Sequence, residues 1–388
     1  MYYNVNVEET IEYKIAKIVK EKGGRTYYVG GYVRDLFLGK ENKDIDIEIH
    51  GIDESTLIEI LSKFGKPLTY GKSFGIYTIN GYNIDIALPR KEKKIGTGHK
   101  DFDVEINPHI DINDAIKRRD FTINSIYKDV LSGEIIDPFN GLNDINNKII
   151  KHIDDVSFVE DPLRVLRAAQ FASRFEFDVS NKTIELCKSI DIKTLSRERV
   201  EEELKKALLK SNKPSIFFKY LKDMNQIDYW FNDINLKYID KANEYIDKVE
   251  NKYAYLLSSL CLNSSFEIIR FTNDKQIFEY TENMRNNINI SLDSNFEINK
   301  LFYRSININD FIYLKMSIDD KYNYLFEKYE AYKKLIEKPY VTGDDLIKCG
   351  FIPNKDFGEI IEFATDLRLQ GLAKDEALKL TKEFFMND

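Results

Sequence analysis

The sequence predicts an α+β protein, with a head of short strands and helices followed by a remainder that is helical to its end. Three observations carry this. Fourteen of the 18 glycines lie at or before Gly141, and the other four lie at or after Gly343. The glycine-free stretch between them holds only Pro162, Pro214 and Pro339. Because glycine and proline interrupt regular structure, their scarcity there marks long helices. The first 150 residues instead show short β-branched and aromatic runs bounded by turn residues, which read as strands of one sheet.

In chain order, the strands expected are Thr26–Val29, Ile45–Ile49, Ile76–Ile79 and Tyr82–Leu88. Beyond the head, Asp161–Phe175 carries Leu163, Leu166, Ala169 and Phe171 at amphipathic helical spacing. Pro162 suits the first turn of that helix and Asp161 its cap. Arg199–Leu209 continues in the same style. Thr342, followed by Gly-Asp-Asp-Leu, reads as a cap, and Leu372–Phe385 as a closing amphipathic helix. The expected divisions are a head over 1–150, a neck over 151–215, a body over 216–338 and a tail over 339–388.

Composition narrows the function classes. No apolar run approaches the roughly 20 residues of a membrane span, and the polar, acidic start from Met1 to Glu9 predicts no secretory signal. Cys187, Cys261 and Cys349 are odd in number and far apart. They argue against a disulfide framework or a zinc site and fit a reducing cytoplasm. A formal net charge of −8 gives nucleic acid no bulk attraction. An RNA site would therefore be a local basic patch, such as Arg90–Lys94 or Lys117–Arg119.

The strongest local signal is Gly30-Gly31-Tyr32-Val33-Arg34-Asp35, then Gly39, then Asp44-Ile45-Asp46. A strand entering a double glycine and then a helix lets backbone amides approach a triphosphate. Arg34, one turn into that helix, can add a guanidinium to the phosphates. Asp44 and Asp46, two apart on a strand, point to one face and repel each other without a cation between them. Such oxygen ligands suit magnesium, and two ions can stabilise the attacking and leaving oxygens of a phosphoryl displacement. Asp85, in the strand expected over Tyr82–Leu88, is a candidate third carboxylate, and equally a surface aspartate. Lys117-Arg118-Arg119-Asp120-Phe121-Thr122-Ile123-Asn124 can bring a guanidinium to phosphates and Asp120 or Asn124 to a ribose hydroxyl.

Glu160-Asp161-Pro162-Leu163-Arg164-Val165-Leu166-Arg167 bears on base choice. Asp161, Arg164 and Arg167 recur every three residues along one helical stripe. Cytosine and adenine each present an amino donor beside a ring-nitrogen acceptor, which a carboxylate and a guanidinium satisfy together. Uracil and guanine present the reverse order and would leave buried groups unpaired, at about 1–3 kcal/mol each. The plain alternative is an intrahelical ion pair of a few tenths of a kcal/mol. Two other features lack the spacing or partners for the chemistry they suggest. Gly71-Lys72-Ser73 has its preceding glycine, Gly65, one position too far upstream for a phosphate-binding loop. None of the four histidines, His50, His99, His109 and His152, forms the His-Asp pair of a metal phosphohydrolase.

Taken in order, these pieces resemble the superfamily of class II tRNA nucleotidyltransferases (CCA-adding enzymes) and bacterial poly(A) polymerases. The resemblance runs over residues 25–210 and adds Asp137-Pro-Phe-Asn-Gly141 and Arg197-Glu-Arg199-Val-Glu-Glu-Glu203 to the motifs above. It implies a polymerase-β-like head followed by a helical neck, body and tail that hold the tRNA acceptor end. It further implies triphosphate contacts from Gly31, Arg34 and Arg119, metal at Asp44 and Asp46, and base or nucleotide contacts from Asp161, Arg164 and Arg167. The family usually has a further arginine where this chain has Gln170, so one charged contact is missing or supplied elsewhere.

The activity so implied is magnesium-dependent addition of CCA to tRNA from CTP and ATP. Its rivals are a poly(A) polymerase, a CC-only or A-only enzyme, a catalytically inactive RNA-binding protein of the same fold, and a nucleotide-binding regulator. The segment Arg90–Lys100, basic and carrying Gly96 and Gly98, has the composition of a mobile loop. In the family that this chain resembles, a loop there is linked to the switch from C to A.

Overall fold

The computed structural model describes residues 9–70, 75–94, 102–337 and 341–386. The chain divides into two compact units, 1–207 with 216–230, and 208–215 with 231–388. The expected α+β class holds, with all strands of the described residues in the first unit.

The first unit opens with α1 (Ile11–Glu21), β1 (Arg25–Tyr28), α2 (Gly30–Phe37), β2 (Ile45–His50) and α3 (Glu54–Ser62). Next come β3 (Pro67–Tyr70), β4 (Ile76–Ile79), β5 (Ile84–Ala87), β6 (Arg90–Lys94), β7 (Phe102–Ile106) and α4 (Ile112–Lys117). The head closes with β8 (Tyr127–Asp129), β9 (Ile135–Ile136) and α5 (Gly141–Asn146). Seven strands form one sheet in the order β3-β4-β5-β2-β1-β8-β9, while β6 and β7 pair separately. Every neighbouring pair in the large sheet is antiparallel except β2 with β5. That parallel pairing sets Asp46 level with Asp85.

Local chemistry accounts for these elements. Thr10 caps α1 by accepting from the Tyr13 amide, and Asp53 caps α3 by accepting from the Thr56 amide. The apolar faces of those helices close on the sheet through fully buried Ile15, Val19, Leu57, Ile60 and Leu61. Gly141 is required by space, since a Cβ there would lie 2.1 Å from the Thr122 carbonyl oxygen. Just before it, Asp137 accepts from the Gly141 and Leu142 amides and anchors the start of α5.

The neck follows with β10 (Ile149–Ile150), α6 (Asp155–Phe158), α7 (Leu163–Phe175), β11 (Asp178–Val179), α8 (Asn181–Lys188), α9 (Arg197–Leu209), α10 (Ser215–Asp223) and α11 (Asp228–Phe231). Helix α7 buries Val165, Leu166, Ala168, Ala169, Phe171, Ala172 and Phe175, a wider apolar face than the four positions expected. Its start also differs: Pro162 holds the cap position, and the Asp161 carboxylate accepts instead from the Leu163 amide. Phe217, Phe218, Leu221 and Met224 are fully buried, and Gln226 donates to the Cys187 and Ile190 carbonyls.

The second unit holds α12 (Ile239–Asn243), α13 (Lys252–Cys261), α14 (Lys275–Asn287), α15 (Asn295–Arg304), α16 (Ile308–Ile318) and α17 (Leu325–Ile336). It ends with α18 (Gly343–Lys348), α19 (Phe357–Leu369) and α20 (Lys374–Met386). Ile298, Phe302, Ile312, Leu325, Tyr332 and Leu369 form one core of this unit. Val341, Leu346, Phe351, Ile360, Ala364 and Ala377 form another, under α18–α20. Thr342 caps α18 in a reciprocal box with Asp345, as its sequence indicated.

Candidate active site

Strand β2 and the residue before it read Asp44-Ile45-Asp46-Ile47-Glu48-Ile49-His50, a strict alternation of polar and apolar side chains. Period two sends all four polar residues to one face of the sheet. Asp44 lies just ahead of the strand, exposed, and accepts from the Asn83 side-chain amide at 2.6 Å. Asp46 is half-buried, and exposed Asp85 stands level with it on β5. Burial, and then the Asp85 charge, push the Asp46 carboxyl up to about 6, with Asp44 adding to the effect. Three carboxylates thus share one face, and Asp85 acts on Asp46 more strongly than Asp44 does.

The glycine turn opens onto this face. The Val29 amide donates to the Asp46 carbonyl, which ties the end of β1 to β2. Gly30 then takes φ +63°, and a Cβ there would lie 3.3 Å from Arg119 Nη1 and 3.6 Å from Asp46 Oδ2. Its left-handed conformation and the closeness of both groups favour glycine. Among the described residues no side chain caps α2, where Val29 holds the cap position, so its first amides can serve an anion. Arg119, four-fifths covered, donates from Nε and Nη2 to the Tyr127 hydroxyl and from Nη2 to Glu48. Its guanidinium lies 5.0 Å over the Tyr127 ring.

Glu48 is the site residue that sequence reading missed. It is 1% exposed and accepts from His50 Nε2 at 3.0 Å, the Tyr127 hydroxyl at 2.8 Å, and Arg119 and Arg118 at 3.2 and 3.4 Å. Burial alone would raise its pKa, but the His50 hydrogen bond and the two guanidinium charges outweigh it and hold the carboxyl at about 2. The unbroken alternation after Asp46 was the signal that could have found it.

Arg34 is placed differently from its expected phosphate contact. It is 3% exposed, pairs with Asp35 at 2.7 Å and donates to Asn124 Oδ1 at 2.6 Å. Its guanidinium lies 4.7 Å over Phe175 and 5.3 Å over Phe171. A Cβ on Gly31 would be 3.4 Å from Arg34 Nη2, so this positive charge lies against the glycine turn. Burial lowers its pKa from the ordinary value.

Asp120 and Asn124 also have protein partners. Lys117 ends α4, Arg118 takes its C-cap position, and a 3₁₀ turn covers Thr122–Asn124. Asn124 donates to Asp120 Oδ1 at 3.0 Å, and Asp120 Oδ2 receives Arg167 Nε and Nη2 at 2.7 and 2.6 Å. Burial would raise the Asp120 pKa, yet Arg167 and Asn124 hold it below the usual carboxylate range. A relay Arg34–Asn124–Asp120–Arg167 therefore connects α2 to α7.

The residues expected to bear on base choice meet partners that the sequence did not reveal. Asp161 accepts from Arg199 Nη2 at 3.1 Å through both oxygens rather than pairing with Arg164. Arg164 donates to the Ser157 and Arg118 carbonyls, each at 2.7 Å. Gln170 is 1% exposed, and its Nε2 has no hydrogen-bond partner among the described residues. Residues Gly96–Gly98 lie outside the described residues, as does Gly71-Lys72-Ser73.

Among the described residues no three acidic, histidine or cysteine side chains are gathered closely enough to enclose an ion unaided. No helix among them is long and apolar enough to cross a membrane.

Known proteins resemble the chain in its head and in its fold. Residues 26–151 match the family described as the poly A polymerase head domain. The chain is 36% identical over 216 residues to the Multifunctional CCA protein of Haemophilus ducreyi, covering 54% of this chain and 51% of that one. The namesake from Pseudoalteromonas atlantica is 35% identical over 218 residues, covering 54% and 52%. The chain thus spans about half the length of these relatives. Among solved structures, an apo CCA-adding enzyme superposes with a TM-score of 0.74 at 22% identity, over 96% of this chain and 94% of that one. A Thermotoga maritima CCA-adding enzyme complexed with tRNA gives 0.66 at 22% identity, over 95% and 93%. Residues 26–151 are thus similar to poly A polymerase head domains, and the chain shares the fold of solved CCA-adding enzymes along most of its length.

Proposed function

We propose that the protein is a template-independent tRNA nucleotidyltransferase that builds CCA. It transfers CMP and AMP from CTP and ATP to the 3′ acceptor end of tRNA and releases pyrophosphate. One observation supports this above the others: Asp44, Asp46 and Asp85 share a sheet face at the uncapped start of α2, with Arg119 Nη1 beside it. Relatives of the head are Multifunctional CCA proteins, and structures of the same fold are complexes with CTP, with ATP and with tRNA.

The donor set fits magnesium. All three groups are carboxylates, and Asp46 is a crowded, half-buried one whose charge the protein leaves poorly compensated. Asp44 and Asp46 would hold two ions, with Asp85 alongside, and substrate phosphates and water would complete the shells. Bound there, the ions supply charge stabilisation to the attacking and leaving oxygens of the displacement. The chain's own residues do the positioning. Gly30 and Gly31 admit the triphosphate to the α2 amides, Arg119 Nη1 faces it, and Arg34 adds positive charge from beneath the turn. The tRNA 3′ hydroxyl attacks the α-phosphate in line with the departing pyrophosphate.

In this reading Asp161 and Arg164 select C and A by accepting from the base amine and donating to the ring nitrogen. Each must first release the partner it holds in the free protein, Arg199 for the one and two carbonyls for the other. A cytoplasmic location accompanies the reading, supported by three free cysteines.

The test is incubation with tRNA lacking its 3′ end and each labelled triphosphate, singly and together, followed by sequencing of the products. CCA addition gives three nucleotides and then a stop. A ladder of adenosines on generic RNA would establish a poly(A) polymerase instead, and a product halted at CC or limited to A a partial enzyme. No incorporation at all would leave an RNA-binding protein of this fold.

A further inference from the structure

Arg119 has five N–H donors, and the described residues take up only one edge of its guanidinium. Nε and Nη2 are engaged by the Tyr127 hydroxyl and Glu48, while Nη1 and Asp46 Oδ2 both flank the Gly30 turn, 3.3 and 3.6 Å from where a Cβ would stand. A free arginine so close to an ionised aspartate would close onto it, since both charges gain by pairing out of bulk water. Among the described residues no ion pair joins Arg119 to Asp46, whereas Glu48 pairs with Arg119 from the far side at 3.2 Å. Glu48 cannot swing away. It is 1% exposed, fixed on β2, and held also by His50, Arg118 and the Tyr127 hydroxyl.

We propose that Glu48 is a positioning residue: it anchors Arg119 by its Nε–Nη2 edge, which leaves Nη1 for the incoming triphosphate and keeps the guanidinium off Asp46. The inference rests on the nucleotidyl-transfer reading above. Glu48 touches neither substrate nor ion in this scheme and acts only through Arg119. Two neighbouring roles arise from the same contacts. Tyr127 fixes the plane of the guanidinium by lying under it, and His50 completes the coordination of the carboxylate from the opposite end. Neither can replace the charge that Glu48 contributes, because a phenol and an imidazole do not compete with Asp46 for a cation.

The experiment is a double-mutant cycle between Glu48 and Arg119, read by calorimetric CTP affinity and by the separate KM values for CTP and tRNA. Loss of Glu48 in Glu48→Ala should weaken CTP binding and raise its KM by roughly tenfold or more, with the KM for tRNA unchanged. In the Arg119→Ala background the same change should cost less than about twofold, because the group that it positions is gone. Glu48→Gln keeps the shape and both polar groups without the charge, and should fall between wild type and alanine. It also carries the test should thermal melting show Glu48→Ala unfolded. Equal losses with and without Arg119 would overturn the inference, as would an unchanged CTP affinity in a folded Gln variant. The nucleotidyl-transfer reading fails on a different result, absence of incorporation by the unaltered protein, which the binding cycle does not require.

Discussion

Asp46 is a carboxylate whose surroundings favour its neutral form. Burial and the level Asp85 hold its pKa at about 6, above the ordinary carboxylate value of 3.8. A raised folded-state pKa means that the folded protein binds the proton more tightly than the unfolded chain does. The ionised side chain therefore opposes folding above about pH 6, by on the order of 1–3 kcal/mol. Asp46→Asn should melt at a higher temperature than wild type at pH 7 in cation-free buffer. That gain should shrink as pH falls from about 6 toward 4, while incorporation is lost throughout. Melting curves at several pH values with a chelator present would check this. The second residue-scale prediction concerns Asp161. Asp161→Ala and Arg164→Ala should each erode discrimination against UTP and GTP by roughly 10- to 100-fold, the worth of one or two buried unpaired groups. Competition assays with mixed triphosphates measure it, and a wild-type preference in both variants would remove them from base choice. The shared face of Asp44 and Asp46 was legible because strand period alone places them there. Asp85 was ambiguous until strand pairing fixed its level, since register is a long-range property. The Asp161–Arg199 pair was hidden because it joins residues 38 positions apart.

At the scale of elements, two segments invite tests. Strands β6 and β7 pair from Arg90 with Ile106 to Lys94 with Phe102, and they bracket Gly96–Gly98. If that segment serves the change from a pyrimidine to a purine, deleting 96–98 should leave C addition within a few-fold of wild type and impair the final A at least tenfold. Gel resolution of CC- and CCA-ended tRNA reports it directly. Helix α16 buries Lys315, 4% exposed, near the rings of Tyr322 and Phe311. Burial, and then the Lys321 charge, lower its pKa to about 8 from 10.5. Below about pH 8 the folded state must carry this buried ammonium, and the penalty eases as pH rises from 8 toward 10.5. Lys315→Met should therefore be more stable than wild type at pH 7, by on the order of 1–3 kcal/mol. The difference should narrow by pH 10, as denaturant titration would show. Elements were read well where their cause is local: β-branched runs between turn residues marked β2 and β4, and a cap at Thr342 marked α18. The turn at Thr122–Asn124 was not, because its surroundings are set by partners on α2 and α7 that lie far off in sequence.

For the whole molecule, the boundary that sequence suggested after 215 would cut through packed structure. Residues 216–230 belong with the first unit, where Phe217 and Phe218 are fully buried and Trp230 Nε1 donates to the Ile192 carbonyl. Removing one buried phenylalanine costs about 3–5 kcal/mol, so losing two is comparable to the whole stability of a typical domain, about 5–15 kcal/mol. A chain ending at 230 should unfold cooperatively and one ending at 215 should not, as calorimetry or urea titration of the two would reveal. The glycine asymmetry that announced two architectures could not place this boundary, because α10 and α11 share the helical composition of α12 to α17.

The hydrogen-bonded relay from Arg34 through Asn124 and Asp120 to Arg167 sets a rule for exchanging parts between relatives. Its four members come from three separate stretches of sequence, and each is matched to the next in charge and length. A chimera with a crossover anywhere between 34 and 167 inherits the relay from two parents. It then works only where both parents chose the same side chains at those positions. Crossovers upstream of 34 or downstream of 167 leave it whole, so recombination among such proteins is constrained in the middle and free at the flanks.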